Sequence, residues 1–291
     1  MVDFDIIFIS ACCDHRYIYK LVESIINNNN HVKLCLIVVN QNDVAMKQFP
    51  NTSNTHVNVI EHNEKVNSSI ARNIGIDYLL NHQLVSEFVC FPDDDSSYDG
   101  IFFEKIQSFI KSNKLGNYVT DVYCTGSSEL FRKVSYPDFT VLSKKDFNIV
   151  GAVNIVLNFK TFQQVLYFDS RFGVNAKYGA GEDGDYFIRA VQLERFYYTK
   201  ELYSYHPSGE YRYKSLSFKS MRKRLSGYAC GGIALLCKHR MYKAAIILTF
   251  RAIGGVAKYL LKREFKIAIA YLEAFFLRFF YLVKFSMFSV K

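Results

Sequence analysis

The chain has 291 residues, half of them hydrophobic and 22% charged, with 15 glycines and 4 prolines; this suits one large or two ordinary folded domains and excludes a disordered or fibrous chain. Its 7 cysteines form no CxxC pair, which argues against a disulfide scaffold or zinc ribbon and fits a reducing compartment. The net charge of +9 is uneven: residues 211–291 hold 17 Lys and Arg against only Glu264 and Glu273 (+15), which leaves 19 bases and 25 acids (−6) for residues 1–210.

Met1-Val2-Asp3-Phe4-Asp5 carries acids where a secretory leader carries bases, which predicts a cytosolic start. Residues 5–10 read as a buried strand that opens into a polar loop, 10–16. Helical spacing follows over 19–26, ended by the asparagines 27–30. A second buried strand spans 32–39 and runs into Asn40-Gln41-Asn42-Asp43, and 57–60 is a short third strand. Residues 68–80 are helical with a serine start. Residues 88–91 form a fourth strand that enters Pro92-Asp93-Asp94-Asp95. Strands alternating with helices predict βαβ units and a mainly parallel sheet. The loops at 10–16, 40–43 and 92–99 then share the edge where such sheets bind ligands.

Three adjacent carboxylates repel one another, and a divalent cation relieves that repulsion. On an extended backbone Asp93 and Asp95 point the same way, so they can share one metal–phosphate site, which suits Mg²⁺ or Mn²⁺. The ordinary alternative is a solvated acidic turn. Asp93-x-Asp95-x-Ser97 with Glu104 mimics a calcium loop, but Tyr98 stands where glycine is needed and a strand precedes it. Gly179-Ala180-Gly181-Glu182-Asp183-Gly184 spells GxGxxG, yet no hydrophobic strand precedes it and two acids occupy the pyrophosphate position. Glu182 and Asp183 precede a helical run, 186–191. They are either capping acids or a general base for an incoming hydroxyl. His206 is a candidate third ligand. No nucleophile elbow and no P-loop is present, so hydrolase and kinase chemistry lack support.

The tail reads as basic, aromatic helices. Ala244–Phe250 is only seven apolar residues long, and Lys266–Phe288 contains Glu273, Arg278 and Lys284, so neither reads as a clean membrane span. Phe275, Phe276, Phe279, Phe280, Leu282 and Val283, interleaved with Arg278 and Lys284, resemble an interfacial amphipathic helix. A packing helix or a dimer contact is the plainer alternative.

In order along the chain, the strand and loop 6–16, Asn40-Gln41-Asn42-Asp43, Ala71-Arg72-Asn73-x-Gly75, Phe91-Pro92-Asp93-Asp94-Asp95, Phe168-Asp169-x-Arg171-Phe172-Gly173, Gly181-Glu182-Asp183-x-Asp185-x-x-x-Arg189 and His206-Pro207 together resemble the inverting glycosyltransferases of family 2. The resemblance covers residues 4–210 and implies a GT-A fold, an α/β Rossmann-like sheet flanked by helices, here with a basic and aromatic helical extension over 211–291. It also implies roles. Asp93, Asp94 and Asp95 contact the nucleotide and a divalent metal, with His206 as a further ligand. Asp183 activates the acceptor hydroxyl, with Glu182 the second candidate. Arg72 and Asn73 lie near the nucleotide, and Ser10, Ala11 and Asn40 hold the base. Asn40 replaces an acid common there. The donor implied is a nucleotide-sugar, with UDP the family-level expectation.

The tail, with Tyr228-x-x-Gly231-Gly232, Lys238-His239 and Arg251-Ala252-Ile253-Gly254-Gly255, resembles that of bacterial polysaccharide-assembly transferases. That implies a saccharide acceptor carried on lipid, and a peripheral location on the inner face of the bacterial cell membrane, with anionic lipid and not nucleic acid as the tail's partner. A homodimer through the tail stays open. So do a metal-dependent nucleotidyltransferase, a nucleic-acid-binding protein that uses the basic tail, and a degenerate transferase acting as a binding module.

Overall fold

The computed structural model describes residues 3–207 and 216–287. The domain boundary expected at 210/211, and the ends of the chain at Met1-Val2 and Phe288, lie outside those residues. Residues 3–168 with 186–207 form one compact unit, and 169–185 with 216–287 form another. The boundary at 185/186 falls inside the helix Glu182–Val191.

The first unit is built on one sheet of eight strands: β1 (Asp3–Cys12), β2 (Leu34–Asn40), β3 (Thr55–Glu61), β4 (Val85–Cys90), β5 (Asn117–Cys124), β6 (Thr140–Leu142), β7 (Ile155–Asn158) and β8 (Phe196–His206). Their order is β3-β2-β1-β4-β7-β5-β8-β6. The first four in that order are mutually parallel, and β5 and β8 are parallel to each other. Only β7, antiparallel to both β4 and β5, and β6, antiparallel to β8, run the other way. The mainly parallel sheet expected from the strand–helix alternation is therefore present. Two reversals across β7 restore the direction of β4 in β5 and β8, so the C-terminal ends of β1, β2, β4 and β8 share one edge.

Every residue of β2 is buried, as a continuous apolar run must be when helices cover both faces. The helix α1 (His15–Asn28) buries Ile18, Leu21, Val22 and Ile25, a 3.6-residue stripe, and Asp14 caps its first turn. The polar loop expected over 10–16 is shorter than that, because β1 runs on to Cys12 and α1 begins at His15. The helix α2 (Ser68–Asn81) is capped by Asn67 rather than a serine. Gly75 lies so close to β1 that a Cβ there would collide with Ile9 Cγ2. The helices α3 (Gly100–Lys111) and α4 (Phe159–Val165) complete the cover; α5 is Glu182–Val191.

The second unit contains α6 (Phe218–Lys238), α7 (Tyr242–Leu261) and α8 (Phe265–Met287). Gly179 and Gly181 both have positive φ, +73° and +97°, and a Cβ on Gly179 would stand 2.7 Å from the Gly227 Cα of α6. Only glycines permit that approach of loop to helix. The segment 179–184 is thus a loop and helix start seated on α6. Gly179 and Gly181 are used for backbone contact, in keeping with the rejection of a dinucleotide fingerprint.

α7 and α8 pack inside out. α7 buries Ala245, Thr249 and Ala252, and α8 buries Ala268, Ala270 and Ala274 together with one large side chain, Phe285. Ile247, Phe250, Phe276 and Phe280 are each more than half exposed. The apolar run Ala244–Phe250 is extended by the surrounding helix to twenty residues. Among the described residues, α7 alone is long and apolar enough, by length and composition, to cross a membrane. This corrects the reading of that stretch as too short, which counted only the uninterrupted apolar core.

Candidate active site

β4 delivers Pro92-Asp93-Asp94-Asp95 to the shared edge. The backbone there is a turn and not the expected extended segment: the Asp93 carbonyl accepts from the Ser96 amide (3.0 Å) and from Ser96 Oγ. The turn fans the three carboxylates. Asp94 faces the end of β1, where its Oδ2 accepts from the Cys13 amide at 3.0 Å. Asp93 and Asp95 converge instead on His206, the last residue of β8. A two-residue bridge holds the strands in place, with Ser97 and Tyr205 exchanging backbone hydrogen bonds at 3.0 and 2.9 Å.

His206 Nε2 lies 3.1 Å from Asp95 Oδ1 and 3.7 Å from Asp93 Oδ2. One ligand atom from each of the three residues falls within 4.8 Å of the others. His206 Nδ1 is 2.9 Å from the Pro207 carbonyl. A carbonyl only accepts, so Nδ1 carries the proton. Nε2 is left facing the two carboxylates, a position from which the three side chains could hold one cation. Metal-bound histidines orient in this way, with the far N–H on a backbone carbonyl. Two oxygens and one imidazole nitrogen suit a divalent cation of the Mg²⁺ or Mn²⁺ kind. The residues fit the expected ion.

Arg72, on α2, donates from its guanidinium to Asp93 Oδ1 at 2.9 Å. Its side chain is 6% exposed, whereas that of Asp93 is 36% exposed. The guanidinium also lies over the Phe168 ring, 5.2 Å from its centroid. Asn73 serves a different purpose. Its amide donates to the Phe168 carbonyl at 2.9 Å and accepts from the Phe168 amide at 2.8 Å, which clamps the backbone beneath Arg72.

The residues expected to hold a base lie at the ends of β1 and β2. Ser10 is fully buried, with no hydrogen-bond partner for its Oγ among the described residues, and Ala11 is half-buried. Asn40 is fully buried. Its Nδ2 donates to Glu61 Oε2 at 2.6 Å and to the Val44 carbonyl at 3.0 Å, and its Oδ1 meets His15 Nε2 at 3.0 Å. Glu61, the last residue of β3, thus places a carboxylate beside the end of β2. No thiolate nucleophile stands beside the site: burial, reinforced by the Asp94 charge, pushes the Cys12 thiol up to about 12, and Cys13 is raised for the same reasons.

Glu182 and Asp183 lie half-buried in the first turn of α5, in the second unit. Asp185, in the same first turn, is fully buried between Lys238 Nζ (2.5 Å) and His239 Nε2 (2.8 Å). The same Nζ meets Asp169 Oδ2 at 2.8 Å, and Asp169 pairs with Arg171 at 2.6 Å. Burial alone would raise the Asp169 carboxyl, but hydrogen bonds from Arg171 and Lys238 outweigh it and hold that carboxyl well below the usual range. This chain from Arg171 to His239 fixes the turn that carries Glu182 and Asp183. Sequence reading noticed Asp169-x-Arg171 and Lys238-His239 separately and had no signal that they meet.

The profile of glycosyl transferase family 2 matches residues 6–172. Among solved structures, S. aureus TarS 1–349 shares 12% identity at a TM-score of 0.57, over 93% of this chain and 90% of that one. TarS 1–349 in complex with UDP-GlcNAc gives 16% identity and a TM-score of 0.51, over 77% of this chain and 65% of that one. The complex with UDP gives 16% and 0.50, over 77% and 64%. A search of curated proteins finds no match.

Proposed function

The chain belongs to glycosyl transferase family 2, and from that premise we propose that it transfers a sugar from a nucleoside diphosphate donor, a UDP-sugar, to a saccharide hydroxyl with inversion. The observation that carries this reading is the convergence of Asp93, Asp95 and His206 at the sheet edge, with Arg72 on Asp93. The UDP and UDP-GlcNAc complexes of S. aureus TarS support a uridine donor.

Asp93, Asp95 and His206 would hold Mn²⁺ or Mg²⁺, which when bound would supply positive charge to offset that of the leaving diphosphate. Arg72 keeps one Asp93 oxygen engaged and so fixes the direction of the other. Asp94 ties the turn to the β1 loop, and Ser10, Ala11 and Asn40 form the wall beside the base. Asp183 takes the proton of the acceptor hydroxyl, whose oxygen forms the new bond to the anomeric carbon. The bond from that carbon to the diphosphate breaks in the same displacement, and the electron pair departs with the nucleotide. No enzyme nucleophile is needed, because the diphosphate is already a good leaving group. Glu182, the neighbouring acid, is the second candidate for the base.

The inside-out packing of α7 and α8 favours lipid as the tail's partner. Helices in a bilayer interior pack through small residues and turn large apolar ones toward lipid. Lys258, Lys262, Arg263 and Lys266, all exposed around the α7–α8 turn, suit anionic headgroups. On this reading the protein works at the inner face of the bacterial cell membrane on a lipid-linked saccharide. Large exposed apolar side chains among the bases disfavour nucleic acid, and a homodimer through the same face is the competing arrangement. Flotation with phosphatidylglycerol vesicles, beside a sizing run without lipid, separates the two. The reaction itself is tested by UDP release from a panel of UDP-sugars with acceptor saccharides, with Mn²⁺ or with EDTA. Transfer with metal and none with EDTA is expected; equal transfer in EDTA contradicts it.

A further inference from the structure

One face of α6 grips the turn that carries Asp183, and it does so at both ends of that turn. Gly227, Gly231, Leu235 and Lys238 follow one another at helical spacing and form a single stripe. A Cβ on Gly227 would lie 3.2 Å from the Gly179 carbonyl oxygen, and one on Gly231 would run into the Ala180 carbonyl. A Cβ on Gly181 would in turn lie 3.2 Å from the Gly231 carbonyl oxygen. Helix backbone therefore rests directly on loop backbone over 179–181. About two turns further along the stripe, Lys238 and the capping residue His239 hold the other end, since Lys238 Nζ and His239 Nε2 both reach Oδ1 of the buried Asp185. That carboxylate oxygen accepts, so His239 Nε2 carries a proton and donates it. The Asp185 amide donates to the Gly181 carbonyl at 2.9 Å. Residues 181–185 thus form one closed turn, fixed to α6 at its first and last residues, with Glu182 and Asp183 between them.

We propose that Lys238 and His239 are positioning residues for the acceptor proton transfer: acting through Asp185, they set where the Asp183 carboxylate stands, so that α6 serves the reaction as well as the tail. The proposal rests on the reading of Asp183 as the base. A misplacement of about 1 Å costs a reaction about 100-fold, and Asp183 is only two residues from the pinned carboxylate. Without its donors Asp185 would be a buried charge with a weakened pairing, which favours its withdrawal from the site and a shift of the whole turn. Lys238 also serves Asp169, at 2.8 Å, so His239 is the sharper probe of the two.

The test compares two acceptors on the same preparations of the full-length chain with Mn²⁺. One is the saccharide that gives the fastest UDP release in the UDP-sugar panel, and the other is that saccharide with its reacting hydroxyl replaced by a thiol. A thiol ionises near pH 8.5 unaided, so it depends on the base far less than a hydroxyl does. Partial unfolding lowers both rates in proportion and leaves their ratio alone, whereas a misplaced base lowers the hydroxyl rate selectively. His239→Leu is expected to lower kcat for the hydroxyl about 10- to 100-fold, to keep the donor KM within about twofold, and to raise the thiol-to-hydroxyl ratio about tenfold or more. His239→Gln, whose amide nitrogen can take the place of Nε2, should recover most of the hydroxyl rate. Gly232→Ala, on the neighbouring face of α6, meets the end of the Leu248 side chain and should keep the native ratio. A native ratio in His239→Leu, or the same loss in His239→Gln as in His239→Leu, overturns the proposal. Asp183→Asn run alongside separates the two claims. A raised ratio there with a native ratio in His239→Leu removes only this inference, and a native ratio in Asp183→Asn removes the base assignment beneath it. No UDP release from the native chain with either acceptor removes the transferase reading itself.

Discussion

Arg72 and Asp93 meet at 2.9 Å, a buried guanidinium against the more exposed of the two carboxylates that face His206. Arg72 occupies Asp93 Oδ1, while Oδ2 faces His206. The salt bridge therefore aims a ligand, much as outer partners orient metal-bound groups. Arg72→Met should weaken Mn²⁺ affinity about 10- to 100-fold, as losses of such orienting partners do. Arg72→Lys should recover little of it, because an ammonium lacks the flat guanidinium that lies over Phe168. Mn²⁺ titration followed by electron paramagnetic resonance reads both.

Asp183→Asn is expected to bind UDP and metal normally and to lose transfer by about 100-fold or more, the range for removing a general base. Glu182→Gln should cost less than about tenfold. Near-normal transfer by Asp183→Asn, with the loss appearing in Glu182→Gln, would move the base to the neighbouring acid.

Gly75→Ala places a methyl group against Ile9 Cγ2 between α2 and β1. Both elements are buried there, so the added carbon has nowhere to go. A loss of about 1–3 kcal/mol is expected, read as a lower midpoint in urea at an unchanged slope.

Asp169 links acid stability to the second unit. Its carboxyl is held below its ordinary 3.8 in the folded chain. Its contribution is therefore complete above about pH 4 and is lost as pH falls through the unfolded value toward the folded one. Asp169→Asn should lower Tm at neutral pH and flatten the decline in Tm below about pH 4. An unchanged acid limb in the variant would show that Asp169 does not couple to folding.

The parts of the site that lie close together in sequence were legible before the fold was known. Asp93 and Asp95 follow a strand, so local pattern is enough for them, whereas Arg72 and Asn73 are pointed to only by the family resemblance. His206 was named only as a lone candidate, because its meeting with Asp95 depends on two strand reversals at β7 that no local pattern announces. β5, β7 and β8 went unread for a related reason. β7 is only four residues long, and β8, Phe196–His206, mixes tyrosines with Lys200 and Glu201 where apolar alternation was sought. The buried chain Arg171–Asp169–Lys238–Asp185–His239 joins residues far apart in sequence. Helix α7 was undercounted because Arg251 interrupts its apolar run.

The most direct measurement is the melting temperature of the full-length chain with UDP, GDP, dTDP and CMP, each with Mn²⁺, with Mg²⁺ and with EDTA, beside the Asp95→Ala variant. A ligand at 100 times its dissociation constant adds about 2.7 kcal/mol to stability, which a melting curve resolves. A metal-dependent rise with UDP in the native chain, absent in Asp95→Ala, is the expected result. A UDP shift that survives EDTA, or is unchanged in Asp95→Ala, contradicts the metal site, and no shift with any nucleotide contradicts the transferase reading.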